Sequence, residues 1–413
     1  PEKVRYDLSP TVEADEAITG RERVAEWVKE GQPLIPFLFL VLQKCQRFAS
    51  MADALERRCN GLEAEVQSVR VQHESLQRER RQNLTAALSR KGLGLDPAGS
   101  MGEAARLILS AQLDRMLAHE RGSREGRDQE ELHDMRVAVR RMRAALRLFG
   151  PFLDRTAYKP FRKPLRRTGR VLGRVRDLDV FRHRAEQYLD TLPQERRSEL
   201  DQLLAAWQTA YDAAREEMLT LLDSEAYLQF KEEFARFLAT PGAGAPQTPP
   251  EDASPLPNRV REAVALLIAG SSAAVRAFQG RVERREASLP RLHRLRITAK
   301  GLRYALEFFR ELLPADAESL IDRIKELQDH LGGIQDAVVT CGILLTFLAS
   351  GAWGDDQTKA PATQHVVLDP GVTAYLSVQQ AELQRLVREF PLVWTKVSGE
   401  DFRRQLFTEL AAL

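Results

Sequence analysis

Five side chains able to grip an anion recur at helical spacing within residues 131–149, ELHDMRVAVRRMRAALRLF: His133, Arg136, Arg140, Arg143 and Arg147. At 3.6 residues per turn they share one arc of a helix surface. Arginine predominates, and its planar guanidinium holds phosphate oxygens through two parallel hydrogen bonds. Like charges one turn apart repel by roughly 0.2–0.5 kcal/mol per pair. A stripe of this length therefore predicts a polyanion that offsets the repulsion.

The stretch occurs twice. Residues 291–309, RLHRLRITAKGLRYALEFF, place His293, Arg296, Lys300 and Arg303 opposite His133, Arg136, Arg140 and Arg143. A second shared segment follows each copy, LGRVRDLDV at 172–180 and LGGIQDAVV at 331–339, aligning Asp177 with Asp336. Beside each cationic arc runs an apolar stripe for a core: Met135, Val139, Met142, Ala145, Leu146 and Phe149, then Leu295, Ala299, Leu302, Leu306 and Phe309. Duplicated motifs at this separation predict two related halves.

Lys159, Arg162, Lys163, Arg166 and Arg170 add a second basic face, although Pro160 and Pro164 predict irregular first turns there. The matching positions of the second half carry Lys325, Glu326 and Asp329 where the first has Arg166, Arg167 and Arg170, which skews binding toward the first half. The whole chain has a formal charge of only +2, yet residues 131–184 hold 16 Lys and Arg against 5 Asp and Glu. The basicity is local.

The doubled LHxxR…R/K…R helix and the later LGxxxD segment resemble the CHAD family, the conserved histidine α-helical domain, over roughly residues 101–413. The resemblance implies two four-helix bundles related by a pseudo-two-fold. It implies that they enclose a basic surface for inorganic polyphosphate, and that the protein associates with polyphosphate granules.

Charge alone leaves polyphosphate, nucleic acid and an acidic protein open. Neither basic arc carries an aromatic platform for base stacking, which favours polyphosphate modestly, since backbone-only nucleic-acid binding needs none. His133 and His293 each precede an arginine by three residues on the cationic arc, so phosphate contact is favoured over a purely structural role. Asp177, Asp179 and Asp336 repel phosphate and are expected either to hold signature-helix arginines in place or to serve as ordinary caps and surface pairs. Histidine phosphotransfer, with His293 near Lys300, is a rival. A polyphosphate hydrolase or kinase would need metal-binding carboxylates or a GxxxxGK[ST] loop, and neither pattern is present. A binding module without enzymatic activity, cofactor or metal is expected.

These residues require helices to hold them, and no segment shows strand alternation, so the chain is predicted all-α. Its 413 residues, 43% hydrophobic, are enough for sizeable cores. Residues 1–100 form a helical N-terminal extension, 101–240 the first half, 241–258 a Pro/Gly/Ala-rich linker and 259–413 the second half. In the extension, Leu55, Leu62, Val69 and Leu76 recur every seven residues. They predict a coiled coil across residues 50–90, for a protein partner or self-association, or a helix packed on the first bundle. Residues 93–102, LGLDPAGSMG, are expected to link it to the first bundle. The apolar run 33–42, PLIPFLFLVL, is short of the ~20 residues that span a bilayer and lacks a basic leader. No membrane span is expected. Cys45, Cys59 and Cys341, odd in number and far apart, predict idle thiols in a reducing cytoplasm.

Overall fold

The computed structural model describes residues 92–245, 257–283, 288–354 and 369–413, with residues 57, 58 and 61 besides. The predicted heptads, the apolar run at 33–42, Cys45, Cys59 and most of the predicted linker at 241–258 lie outside the described residues.

Short polar residues set the helix starts. Ser100 accepts from the Glu103 N–H ahead of α1 (Met101–Glu125), Asp128 from Glu130 ahead of α2 (Gln129–Leu148), and Asp154 from Thr156 ahead of α3 (Arg155–Asp190). Gly126, at φ 70°, ends α1 in the left-handed conformation that suits glycine. After α4 (Asp201–Asp223), Ser224 caps α5 (Glu225–Ala239). Then come α6 (Val260–Arg276), the short α7 (Gln279–Glu283) and the second signature helix, α8 (Leu289–Phe308). The chain ends with α9 (Ala317–Ser350), α10 (Pro370–Ser398) and α11 (Glu400–Ala411). Among the described residues there is no strand, only an isolated antiparallel bridge between Ser100 and Arg259.

The same set of packings occurs in both halves. Helix α1 lies on α2 and α5, α2 on α3, α3 on α4 and α5, and α4 on α5; likewise α6 lies on α8 and α11, α8 on α9, α9 on α10 and α11, and α10 on α11. The halves meet where the 3₁₀ turn Gln194–Leu200 touches α10, where α1 touches α6 and where α2 touches α8. There Phe149 and Phe309, which occupy matching positions in the two copies, pack edge to face with ring centroids 5.6 Å apart. Every residue of both predicted apolar stripes is buried. Each signature helix runs into a 3₁₀ turn, Gly150–Phe152 or Arg310–Leu312, closed by a bond from the Phe152 N–H to the Phe149 carbonyl or from Leu312 to Phe309.

Two local expectations are corrected. Helix α3 is continuous through Pro160 and Pro164, because Tyr158, Phe161 and Leu165 around them are buried in the core and hold the turns in place. Residues 93–95 do not hang as a linker. Gly92 and Gly94, at φ 65° and 69°, turn successive N–H groups to one side. The Glu311 carboxylate accepts from Leu93, Gly94 and Leu95, the last at 2.6 Å. Next to this clip the starts of α1 and α6 are bonded together, Met101 N–H to the Asn258 carbonyl and Val260 N–H to the Gly99 carbonyl.

Among the described residues only α9 is long and apolar enough to cross a membrane by length and composition. Its Leu320, Ile324, Leu327, Leu331 and Leu344 are buried in the second half's core.

Candidate anion-binding cleft and groove

Because α2 and α8 face each other, their cationic arcs open into one cleft of about 840 Å³. His133 and Arg140 enter it from α2, and Arg296, Lys300 and Arg303 from α8. Nine arginines and lysines line it against six carboxylates. Several of these charges are already matched. Arg141 and Arg303 share Glu307, at 2.9 and 3.3 Å, and Arg184 binds Asp336 at 3.0 Å. Arg140, Arg296 and Lys300 have no carboxylate partner among the described residues.

The crowding shows in the titration of these groups. Burial, then the charges of Arg296, Arg140, Arg136 and Arg303, push the Lys300 amine down to about 7. Burial, then Arg176, push the His133 imidazole below its usual value. Buried nitrogens of His133, Arg140, Arg141, Arg296 and Arg303 have no protein hydrogen-bond partner. An unpaired buried donor costs about 1–3 kcal/mol.

Arg136 lies beside the cleft, paired with Asp177 at 3.3 Å. Gly173, in the segment following the first copy, lies against it: a Cβ there would come 3.6 Å from Arg136 Nε, and one at the matching Gly332 would come 4.0 Å from Arg296 Nε. The signature arginine of each half thus lies close to the glycine of the LGxxxD segment, with room left for a methyl group. Asp336 does not repeat the pairing of Asp177: it takes Arg184 of α3 rather than a signature-helix arginine. Asp179 is buried, which pushes its carboxyl up to about 6.

The C-terminal end of the first stripe goes elsewhere. Arg143 and Arg147 of α2, with Lys159, Arg162, Lys163 and Arg166 of α3, line an open groove of about 960 Å³ without any carboxylate. Burial, followed by repulsion from Arg147 and Arg166, holds the Arg143 guanidinium below its usual value. Arg170 is exposed and lines neither space. His293 is not brought to the cleft. It is exposed and lines a separate pocket with Leu289, Leu292, Leu331 and Ile334, with Nδ1 2.6 Å from Gln335 Oε1.

Arg115, Arg141, Arg184, Arg310 and Lys325 also line the cleft and fall outside the predicted set. Arg141 adjoins Arg140 in sequence but lies off the stripe's arc. It reaches the cleft because α8 meets α2 broadly enough to take two neighbouring arcs, with the Arg141 guanidinium 5.6 Å from the Phe308 ring centre. No group of three or more His, Cys, Asp or Glu is placed to hold a metal among the described residues.

A helical protein with cations from two facing helices turned into a shared cleft defines the class. The CHAD domain model matches residues 107–345, more than half of the chain, and the chain belongs to the CHAD family. No curated protein matches it. Among solved structures, the CHAD domain from the plant Ricinus communis is similar at 23% identity and a TM-score of 0.49, over 77% of this chain and 94% of that one. PptA from Streptomyces chartreusis is similar at 17% identity and a TM-score of 0.53, over 72% of this chain and 100% of its own. At these identities the likeness concerns the fold.

Proposed function

We propose that this chain binds inorganic polyphosphate, with the chain of phosphates running from the cleft into the basic groove. The observation that carries this is the set of Arg140, Arg296 and Lys300, which face one cleft from two helices without a carboxylate partner among the described residues. A linear polyphosphate supplies charge at every residue of such a path and asks for no base-reading groups. Helix α2 serves both spaces, since Arg140 lines the cleft and Arg147, about 10 Å further along the axis, lines the groove. The resemblance in sequence points to the same ligand. Asp177 positions Arg136 in this scheme, and the two halves are one bundle unit repeated about a pseudo-two-fold, for which the contact between Phe149 and Phe309 is support. In this proposal the protein is a binding module rather than an enzyme, and it associates with cytoplasmic polyphosphate granules.

The test is a titration with long-chain polyphosphate at low and raised salt, on the wild type and on Arg140→Ala with Arg296→Ala. The double variant should bind at least about tenfold more weakly with a shallower salt dependence. Unchanged affinity would overturn the proposal. The open groove without carboxylates also suits a nucleic-acid backbone, so single-stranded DNA of matched charge belongs in the competition. DNA displacing polyphosphate at equal charge would favour that second ligand.

A further inference from the structure

We propose that Lys300 is a covalent modification site for small acyl phosphates, which the cleft gathers by their phosphate end and exposes to the Lys300 amine. This rests on the cleft being a phosphate site. Lys300 is half-buried on α8 and lines the cleft with Arg140, Arg296 and Arg303. Of the six carboxylates lining the cleft, Glu307 is paired with Arg141 and Arg303, Asp336 with Arg184, Asp134 with Arg115 and Glu318 with Arg310, and none forms an ion pair with Lys300 among the described residues. The surrounding guanidiniums attract anions while leaving the lysine itself without a counter-ion.

Arginine cannot act as a nucleophile under these conditions, because it stays protonated. Lysine can. With burial and Arg296, Arg140, Arg136 and Arg303 holding it at about 7 in the free protein, roughly half of the Lys300 amine is neutral at pH 7 before a ligand enters, against a few parts in ~10⁴ for an ordinary lysine. Desolvation beside other cations is a recognised way to activate a lysine.

The step balances without a further reactant. The neutral Nζ attacks the acyl carbonyl carbon, and the bond from that carbon to the phosphate oxygen breaks. Inorganic phosphate leaves with the electron pair and takes up the proton lost from nitrogen. The product is an amide at Lys300. It carries no charge, so the acylated cleft holds one cation fewer and polyphosphate binds less tightly.

The full chain is incubated with acetyl phosphate, and acetylation is followed residue by residue by mass spectrometry, with and without tripolyphosphate. The exposed Lys159 and Lys163, which lie among the groove's arginines, are the internal comparison. Lys300 should be acetylated at least about tenfold faster than either. Acetylation that tripolyphosphate suppresses supports both the modification and polyphosphate binding in the cleft. Fast acetylation that tripolyphosphate leaves unchanged supports the modification and counts against polyphosphate there. If Lys300 reacts no faster than Lys159 and Lys163, the modification is overturned, whatever the polyphosphate titration gives.

Discussion

Lys300 stands where the first copy carries Arg140, and the exchange gives the cleft a charge that pH can remove. A bound polyanion stabilises the ammonium and raises the Lys300 pKa above its value of about 7 in the free protein. Between the two values the complex holds more protons than the free protein, so affinity falls as pH rises from 7 to 8 and changes less below 7. His133, lowered by burial and Arg176, extends the dependence to more acidic pH in the same direction. Binding should be tighter at pH 6 than at pH 8. In Lys300→Arg, whose charge is fixed, the part of that change lying between pH 7 and 8 should disappear, as titrations of both proteins at three pH values will show. The stripe that carries these residues was legible from spacing alone. Its burial pattern was legible too, since an amphipathic helix declares which face packs. What escaped notice is Glu307, which the offset of 160 residues places opposite Arg147. It binds Arg303 and Arg141, so the matching end of the second stripe is neutralised while the first stays fully charged.

At the scale of elements, the two signature segments act together through the close approach of their helices. Gly173 and Gly332 lie against the Nε atoms of Arg136 and Arg296, one contact in each half. Gly173→Ala should leave polyphosphate affinity within about twofold of wild type, because its Cβ would sit at ordinary van der Waals distance, and should stabilise α3 by about 0.5–1 kcal/mol. Gly173→Leu has no such room and should displace Arg136 from Asp177, weakening binding at least several-fold while the helical circular-dichroism signal is retained. Both the glycine and the aspartate of LGxxxD were visible as a repeat. That the glycine lies against Arg136 and the aspartate pairs with it was not, because those contacts depend on how α3 crosses α2. The prolines of α3 misled in the opposite direction. Each removes one backbone hydrogen bond, but Phe161 and Leu165 in the core outweigh the loss.

For the whole molecule, the predicted single basic surface is two spaces, a cleft between the halves and a groove on the first half, joined along α2. Sequence periodicity gives an arc on one helix but does not tell which neighbour covers which part of it. Nor does it tell that His293 faces an apolar pocket instead. If one ligand occupies both spaces, chain length decides which residues matter. Arg162→Ala with Arg166→Ala should weaken binding of long-chain polyphosphate at least about fivefold and leave tripolyphosphate nearly unaffected, whereas Arg140→Ala should weaken both; calorimetry with the two ligands tests this. The repeat pointed to two related halves, while the clip between residues 93–95 and Glu311 carried no sequence signal beyond two glycines. That clip also sets a clock. Leu93 and Glu311 are 218 residues apart, so at roughly 5–20 residues per second of synthesis the ribosome reaches Glu311 some 10–40 s after Leu93. Until then the start of this unit is held only by its contacts within the first half and by the bonds between residues 99–101 and 258–260, and the clip is added after them.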